Sequence, residues 1–468
     1  MKPAVWLLTL ACVSCGVHAQ TQSTKPPQKY EVLGRQILGE LIAIDTTVDR
    51  GSTVAAKAVA ARAIANGFSQ ADVTIVTPKE RPDSSSVVVR LRGRSRARPI
   101  LYINHLDVVP AKREDWTFAP FQLTERDGWL YGRGVIDMKG QDTAVLTALI
   151  RLKQEGFVPS RDIIAAFTPD EETRSQWGVG WLLKEHRNFV DGALVVNPDG
   201  GEAAMKNGRR LYVGVQTSEK TFVTFELETT DKGGHSSRPT ADNPIYRLSA
   251  ALARLSKHRF PLHLTDTTRM YFERRAGLES GQLAADMRGV LQQPPDPAAV
   301  DRLSQVVETN IQLRSTCTTT MIDGGHAENA LPQRARATVQ CRLIPGETQE
   351  SAAAAIRIAL ADPKVEIKVK TAAVVGPESK PSRDVLAVVE RVTRSMWPGL
   401  IVVPYMSPGA SDSVYTRGVG IPSYGIDGMF DDLDDARAHG KDERIGVAAF
   451  GEDLEFTYRL MRAVSDLN

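Results

Sequence analysis

The chain has little excess charge of either sign. Its 58 lysines and arginines and 56 aspartates and glutamates leave a formal net charge of +2 over 468 residues. Nucleic-acid-binding domains carry a basic footprint, and interaction tails carry blocks of one sign. We therefore expect no nucleic-acid partner. The 42% hydrophobic content is enough for substantial cores, and because single cores rarely exceed about 250–300 residues we expect two domains.

A hydrophobic run long enough to span a membrane is also missing. The apolar stretch near the N-terminus covers residues 4–17, whereas a bilayer span needs about 20 apolar residues. Lys2 precedes this stretch and Val17-His18-Ala19 follows it, which is the pattern of a cleaved export signal. We expect residues 1–19 to be a signal peptide and the protein to be secreted or periplasmic. A lipoprotein form attached through Cys12 or Cys15 is the alternative.

Cysteine is scarce outside that segment, where only Cys317 and Cys341 remain. Neither has a CxxC partner for metal or redox chemistry. Both lie in stretches with the pattern of neighbouring strands, and in an oxidising compartment such a pair favours a disulfide over a catalytic thiol. We predict a Cys317–Cys341 disulfide, with two buried thiols as the alternative.

The first half of the chain alternates short apolar runs with helical patterns. The runs are SVVVRL (86–91), ILYINHL (100–106), DIIAAFT (162–168) and ALVVN (193–197), and helices are expected over 140–154 and 179–186. Strands alternating with helices indicate an α/β fold, a mostly parallel sheet with helices on both faces. The polar residues 20–34, which include two prolines, are predicted to be a disordered or loosely packed leader, with order starting near Tyr30.

The pattern changes after about residue 216. Long alternating runs such as TFVTFELETT (221–230), ARATVQCRL (335–343) and VEIKVK (365–370) predict an antiparallel sheet with helices between its strands. After about residue 371 the earlier strand–helix pattern returns. We predict a main domain in two parts, 20–216 and 372–468, interrupted by an inserted α+β domain over 217–371.

Residue types that bind metals follow the apolar runs of the main domain. They are His105 and Asp107 in YINHLDVVP, Asp137 in GRGVIDMKG, Glu171 and Glu172 in TPDEET, Asp199 in NPDGG and His439 in HGKDERI. Imidazole nitrogens and carboxylate oxygens are the ligands of catalytic zinc, which keeps one position open. In open α/β sheets, ligands bind beyond the carboxyl ends of the strands. Because His439 lies in the last part of the chain, the two outer parts must meet in space.

These five motifs, in this order, resemble those of the zinc exopeptidase family that includes aminoacylase, glutamate carboxypeptidase, acetylornithine deacetylase, succinyl-diaminopimelate desuccinylase and carnosine dipeptidases. The resemblance runs from about residue 30 to the C-terminus. It implies a zinc-binding α/β domain interrupted by a smaller lid domain that usually forms a homodimer.

The resemblance also implies a metal centre of two zinc ions. His105 and Asp199 would bind the first ion, Glu172 and His439 the second, and Asp137 would bridge both. Cobalt or manganese competes with zinc for such ligands. Many relatives have glutamate where this chain has Asp199, and aspartate favours the aminoacylase and carnosinase-like branches.

Two further acids in these motifs resemble residues with separate roles. Glu171 resembles the general base, which takes a proton from the attacking water and returns it to the leaving amine. Asp107 resembles the carboxylate that orients the imidazole of His105.

The resemblance extends to residues that contact the substrate. The histidine matching His235 reaches the active site of the partner subunit and polarises the scissile carbonyl. Asn329 and Arg342 match residues that hold the substrate, and guanidinium binds carboxylates in a bidentate manner. Gly409 and Ser411, in SPGASDS, belong to a loop expected to line the substrate pocket.

A bridged pair of metal ions can polarise a carbonyl and activate water, which is the chemistry of amide hydrolysis. We expect a metallopeptidase or amidohydrolase of the carboxypeptidase or aminoacylase type, which cleaves a peptide or N-acyl-amino-acid bond next to a free carboxylate. A carnosinase-like dipeptidase shares every catalytic residue and stays open, as does a non-catalytic zinc-binding relative. A two-metal phosphatase or nuclease would want basic phosphate-binding groups beside the metals, and the motifs contain no clear cluster of that kind.

Overall fold

The computed structural model describes residues 23–173 and 176–467, so the predicted signal peptide lies outside the described residues. The helix Gln28–Ala43 follows Pro27 and buries Tyr30, Ile37, Leu38 and Leu41 along one face. The helix thus begins close to Tyr30, where order was predicted to start, and residues 28–34 are helical and not loosely packed. The three- and four-residue spacing of these apolar side chains is that of an amphipathic helix.

The larger domain is built on a ten-stranded mixed sheet. In spatial order its strands are Val73–Val76, Ser86–Leu91, Ile163–Thr168, Ile100–His105, Leu194–Asn197, Ser423–Gly425, Arg209–Glu219, Glu202–Lys206 and Phe430–Asp432, and Ile401–Ser407 also pairs with Arg209–Glu219. The strand Ile100–His105 is parallel to both of its neighbours. The centre of the sheet is thus parallel, as the strand–helix alternation predicts.

Helices cover both faces of this sheet. Ile163 and Ala165 belong to one apolar core, whereas Ile164 and Ala166 belong to another on the opposite face, because successive residues of a strand point to opposite sides. Residues packed in the first core come from the helices Gln28–Ala43, Thr53–Ala65, Lys139–Gln154, Arg383–Met396 and Val447–Val464. Those packed in the second come from Val179–Glu185, Arg187–Val190 and Ser413–Gly418. The predicted fold class, α/β with a mixed sheet between helices, is confirmed.

A smaller antiparallel sheet has the order Thr316–Gly324, Arg334–Leu343, Thr221–Thr230 and Glu366–Thr371. The helices Pro244–Leu255 and Gln349–Leu360 bury Leu248 and Ile356 against it. Cys317 and Cys341 are directly paired residues of adjacent strands, and a disulfide joins them. A separate two-stranded ribbon pairs Gly234–His235 with Ala330–Leu331. Along the chain, both segments lie between strands of the smaller sheet.

Four helices between the strands of the smaller sheet pack elsewhere. They are Asp266–Arg275, Gly281–Gly289, Pro297–Leu303 and Val307–Leu313. Phe272 from the first of them shares a core with Tyr212 and Val403 of the larger sheet. The range 217–371 therefore contains a helical segment that covers the larger domain. None of the helices in the described part of the chain is long and apolar enough to cross a membrane.

Candidate active site and metal centre

Three adjacent parallel strands bring three of the motifs to one edge of the larger sheet. His105 is the last residue of Ile100–His105. Glu171 and Glu172 begin a single 3-10 turn shortly after Ile163–Thr168, and Asp199 lies in the turn that follows Leu194–Asn197. Since the carboxyl ends of parallel strands meet at the same edge, the fold gathers these side chains.

Two loops complete the cluster. Asp137 comes two residues before the helix Lys139–Gln154. His439 precedes the short strand Arg444–Gly446, which pairs with Trp129–Tyr131 in a three-stranded sheet that also contains Thr124–Arg126. This pairing brings the last part of the chain beside the loop that carries Asp137.

The five predicted metal ligands form two groups that share Asp137. The Nε2 atom of His105 is 3.1 Å from Asp137 Oδ1 and 3.9 Å from Asp199 Oδ1. The Nε2 atom of His439 is 2.9 Å from Asp137 Oδ2 and 3.0 Å from Glu172 Oε1. In each group the potential ligand atoms lie within 4.8 Å of one another. One oxygen of Asp137 thus faces each group, which is the arrangement that a bridging carboxylate requires.

The chemistry of His105 fits a bound metal. Its side chain is 2% exposed, and although its Nε2 atom lies 3.1 Å from Asp137 Oδ1, no described residue makes a well-aligned hydrogen bond with it. Buried polar atoms are normally paired, and an orphaned one calls for a missing ion or water. The cluster of three carboxylates and two imidazoles has the nitrogen and oxygen donors that zinc, cobalt and manganese accept.

The carboxylate of Asp107 contacts the turn of the two glutamates and not the imidazole of His105. The Nδ1 atom of His105 is 3.1 Å from the backbone carbonyl oxygen of Asp107 but 3.7 Å from its carboxylate, a distance too long for a hydrogen bond. The two carboxylate oxygens instead accept hydrogen bonds from the backbone N–H groups of Glu171 and Glu172, at 3.2 and 3.1 Å. The side chain therefore fixes the turn that carries both glutamates, and burial raises its pKa to about 6.

Glu171 has the environment of a base. Burial raises its pKa well above the ordinary value, and the nearby carboxylate of Asp199 adds to the shift. A higher pKa makes a carboxylate a stronger proton acceptor, although bound cations oppose the shift. Asp412, which lies in the loop SPGASDS but was given no role of its own, raises the pKa of Glu171 further.

A cavity of about 340 Å³ opens beside Glu171. Its wall includes Phe222, at the start of the strand Thr221–Thr230, and Val374, just after Glu366–Thr371. Val414 from the larger domain also lines it, as do Lys220 and Lys370. The cavity thus lies between the smaller sheet and the larger domain and combines apolar side chains with two lysines and three carboxylates, those of Glu171, Glu219 and Asp412.

Of the two residues predicted in the loop SPGASDS, Ser411 lines the cavity and Gly409 does not. Ser411 lines the cavity beside Glu171, but it is 5% exposed and donates its hydroxyl hydrogen to Glu219 Oε2 at 2.7 Å. Gly409 donates its N–H to the hydroxyl of Ser407 and is not among the described residues that line the cavity. Ser411 is therefore held in a buried network at the cavity wall.

The structure does not bring the three predicted substrate residues of the insertion to the cavity wall. The ring Nδ1 of His235 is 2.8 Å from the hydroxyl of Ser237, and the carbonyl oxygen of Asn329 accepts a hydrogen bond from the backbone of Ser236. The guanidinium of Arg342 lies 5.6 Å from the ring of Phe222, which does line the cavity. In the described chain, none of the three residues lines the cavity itself, and their roles stay predictions.

Glu443 and Arg133 belong to the site although sequence reasoning gave them no role. Glu443 is fully buried. Its carboxylate accepts four hydrogen bonds, from the backbone N–H groups of Ile136 (2.8 Å), Asp137 (3.2 Å) and Gly134 (2.9 Å) and from Arg133 Nη1 (2.7 Å). Arg133 Nη2 in turn donates to the carbonyl oxygens of His439 and Gly440. The pair therefore ties the loop of Asp137 to the loop of His439. The sequence offers one indication of this pair: Arg133 lies in the motif GRGVIDMKG, Glu443 lies in the motif HGKDERI, and their charges are opposite.

The fold and this site define a class of protein: a metal-dependent hydrolase of amide bonds, with a carboxylate shared by two metal-ligand groups and a buried glutamate beside them. The chain belongs to peptidase family M20/M25/M40, whose model matches residues 101–463.

Known relatives agree with this assignment. The human N-fatty-acyl-amino acid synthase/hydrolase PM20D1 is 27% identical over 373 residues, which cover 78% of this chain and 74% of the relative. A probable carboxypeptidase S-like 2 from Dictyostelium discoideum is 26% identical over 393 residues, which cover 81% and 74%. The crystal structure of an M20 family metallo-carboxypeptidase from Sulfolobus solfataricus superposes with a TM-score of 0.66 at 17% identity and covers 93% of this chain and 99% of its own. The protein is a metallopeptidase or amidohydrolase.

Proposed function

We propose that the protein is an exported di-zinc amidohydrolase that releases an amino acid from an N-acyl-amino acid or a peptide by cleaving the amide next to a free carboxylate. The observation that carries this proposal is the position of Asp137, whose two oxygens each face a different histidine at 3.1 and 2.9 Å. A pair of bound metal ions supplies a polarised carbonyl and a water of lowered pKa. The residues of the chain supply the rest.

Glu171 performs the proton transfers. It accepts a proton from the attacking water as the new carbon–oxygen bond forms, and it delivers that proton to the amide nitrogen as the carbon–nitrogen bond breaks. Asp107 holds the backbone of Glu171 through the hydrogen bond at 3.2 Å, so that one glutamate binds metal while its neighbour stays free. The products are a carboxylic acid and an amine.

The cavity beside Glu171 supports an acyl or peptide substrate with a free carboxylate. Phe222, Val374 and Val414 offer apolar contacts, which suit an acyl chain or an apolar side chain. Lys370 lines the same cavity and is exposed, and an ammonium group attracts a carboxylate. The human relative named above is an N-fatty-acyl-amino acid synthase/hydrolase, which favours acyl-amino acids.

The N-terminal pattern and the disulfide support export. Lys2, the apolar residues 4–17 and the small residues before Gln20 favour a signal peptide and a periplasmic or secreted protein, and the disulfide between Cys317 and Cys341 suits an oxidising compartment. An exposed edge strand supports self-association. Met321 and Ile322 are 63% and 62% exposed on the strand Thr316–Gly324 at one edge of the smaller sheet. An exposed apolar edge strand favours pairing with a strand of another chain, here in a homodimer formed through the smaller, lid domain.

The test is the release of free amino acid from a panel of N-acyl-amino acids, the corresponding amino-acid amides and dipeptides by the zinc-loaded mature protein. We expect hydrolysis of substrates with a free carboxylate and a fall of at least about 10²-fold in kcat for Glu171→Gln, with bound metal retained. Glu185→Gln, at an exposed helix position, is the control and should keep full activity.

Each other outcome changes the proposal. Preference for unsubstituted dipeptides would replace it with a carnosinase-like dipeptidase. Equal activity on the amides would remove the free carboxylate from the specificity. A protein that holds two metal ions and hydrolyses nothing in the panel would be a binding relative.

A further inference from the structure

A second cavity, of about 270 Å³, reaches the metal ligands from another direction. Asp137 and Asp199 line it, but it shares no lining residue with the cavity beside Glu171. The strand Phe430–Asp432 and the loop that leads to His439 form much of its wall. Within the described chain, the predicted base Glu171 therefore lines one cavity, and the metal ligands Asp137 and Asp199 line another.

The second cavity is the more acidic of the two. Four carboxylates line it besides the two metal ligands, those of Glu202, Asp427, Asp431 and Asp432, and the described residues of its wall include no lysine, arginine or histidine. The cavity beside Glu171 has three carboxylates, those of Glu171, Glu219 and Asp412, but also two lysines, Lys220 and Lys370. A cleft lined by one sign of charge concentrates ions of the opposite sign and speeds their arrival.

Two of these carboxylates are free of basic partners. Asp434 and Asp435, in the loop that follows, pair with Lys206 and with two arginines. Asp431 and Asp432 make no such ion pair with any described residue: Asp431 accepts a hydrogen bond from the backbone of Asp432, and Asp432 accepts one from the backbone of Asp434. Neither charge is therefore held in an ion pair, although the positive charge of Arg437 acts on Asp431 from a longer distance and favours its charged form.

An independent feature of the same wall is the amide of Gln141. The side chain is 5% exposed, and its Nε2 atom donates to Asp427 Oδ2 at 3.3 Å. Its Oε1 atom, however, accepts no hydrogen bond from the part of the chain that the structure describes. A buried carbonyl oxygen without a donor needs another partner, and amide and carboxylate oxygens are ligands for hard divalent cations.

We infer that this acidic cavity is the route by which divalent cations enter the metal centre, with Asp431 and Asp432 attracting the ion and Gln141 and Asp427 binding it in transit to Asp137 and Asp199. His105 is almost completely buried, and the two carboxylates that face its Nε2 atom, those of Asp137 and Asp199, both line this cavity. This inference depends on the metal centre and not on which amide is cleaved.

The test measures metal uptake without any substrate. Chelator-stripped full-length protein is mixed with excess Co²⁺, and the rise of visible absorbance gives the association rate, while the final metal content is measured by elemental analysis. For the double variant with Asp431→Asn and Asp432→Asn we expect an association rate about tenfold lower at low ionic strength, a difference that shrinks in high salt, and an unchanged final content. Asp434→Asn, whose charge is already paired with Lys206 and which does not line the cavity, should match the unaltered protein.

A second variant tests the transit ligand. Gln141→Leu removes the amide oxygen and should slow uptake at both high and low salt, and circular dichroism checks its folding. An association rate for the double aspartate variant equal to that of Asp434→Asn would overturn the inference. So would a loss of one bound metal in that variant, because Asp431 or Asp432 would then be a resident ligand. Neither result bears on amide hydrolysis, which is measured separately.

Discussion

The buried carboxylate of Glu443 provides the sharpest test of how this site is built. Glu443→Gln keeps the shape of the side chain but removes its charge. The amide nitrogen of the new glutamine must face at least one backbone N–H group, which then loses its hydrogen-bond acceptor. Arg133, whose side chain is 3% exposed, would lose its carboxylate partner. Breaking a buried ion pair in this way costs about 3–5 kcal/mol of folding free energy.

A second effect is expected at the metals. Glu443 holds the backbone N–H of Asp137 at 3.2 Å, and Arg133 holds the carbonyl oxygen of His439. Loss of partners that orient metal ligands typically lowers metal affinity about 10–100-fold, which corresponds to about 1.4–2.7 kcal/mol. Because Asp137 faces both groups, both metal ions should bind more weakly.

The control is a buried pair of the same kind away from the metals. Arg151 and Glu455 lie 2.6 Å apart, with side chains 11% and 6% exposed. Glu455→Gln should lower the free energy of unfolding, measured in urea, by an amount of the same order and leave the metal dissociation constants unchanged. Equal metal affinities in Glu443→Gln and the unaltered protein, measured by competition with a chelator, would refute the positioning role.

Three other predictions follow from the same geometry. Asp137→Asn should weaken both metal sites, whereas Asp199→Asn should weaken one; metal content after dialysis separates the two, and equal losses would contradict a shared carboxylate. Burial lowers the pKa of Lys220 from 10.5 to about 7, so the unfolded chain binds more protons between those values and stability should rise with pH across that window. Lys220→Met should abolish this rise in the free energy of unfolding, measured with urea at pH 7.5 and 9.5. An unchanged dependence on pH in the variant would refute the assignment of the rise to Lys220. Replacing Cys317 and Cys341 by alanine opens a loop of 24 residues and should cost about 3 kcal/mol of stability, whereas no loss would show that the bond does not constrain the unfolded chain.

Local patterns predicted much of the fold. The strand expected at 86–91 is observed as Ser86–Leu91, and the helix expected at 140–154 begins one residue earlier, as Lys139–Gln154. Alternation also located the strand Thr221–Thr230. These elements were predictable because their hydrophobic periodicity lies within the segment itself.

Contacts between distant segments were not predictable in this way. Arg133 and Glu443 are 310 residues apart, and neither charge shows its burial in the sequence. The helices between Asp266 and Leu313 pack on the larger sheet although strands of the smaller sheet flank them in sequence. The carboxylate of Asp107 resembled an imidazole partner, yet tertiary geometry directs it to the backbone of the two glutamates.

The order of the strands in the larger sheet has a consequence for the synthesis of the protein. Ser423–Gly425 pairs with both Leu194–Asn197 and Arg209–Glu219, and His439 comes later still. A growing chain has all the ligands of the His105 group long before it has His439, but the loop of Asp137 lacks its hydrogen bonds to Glu443 until the same last part of the chain is made. The other group, and the middle of the sheet, must wait for the last part of the chain to emerge.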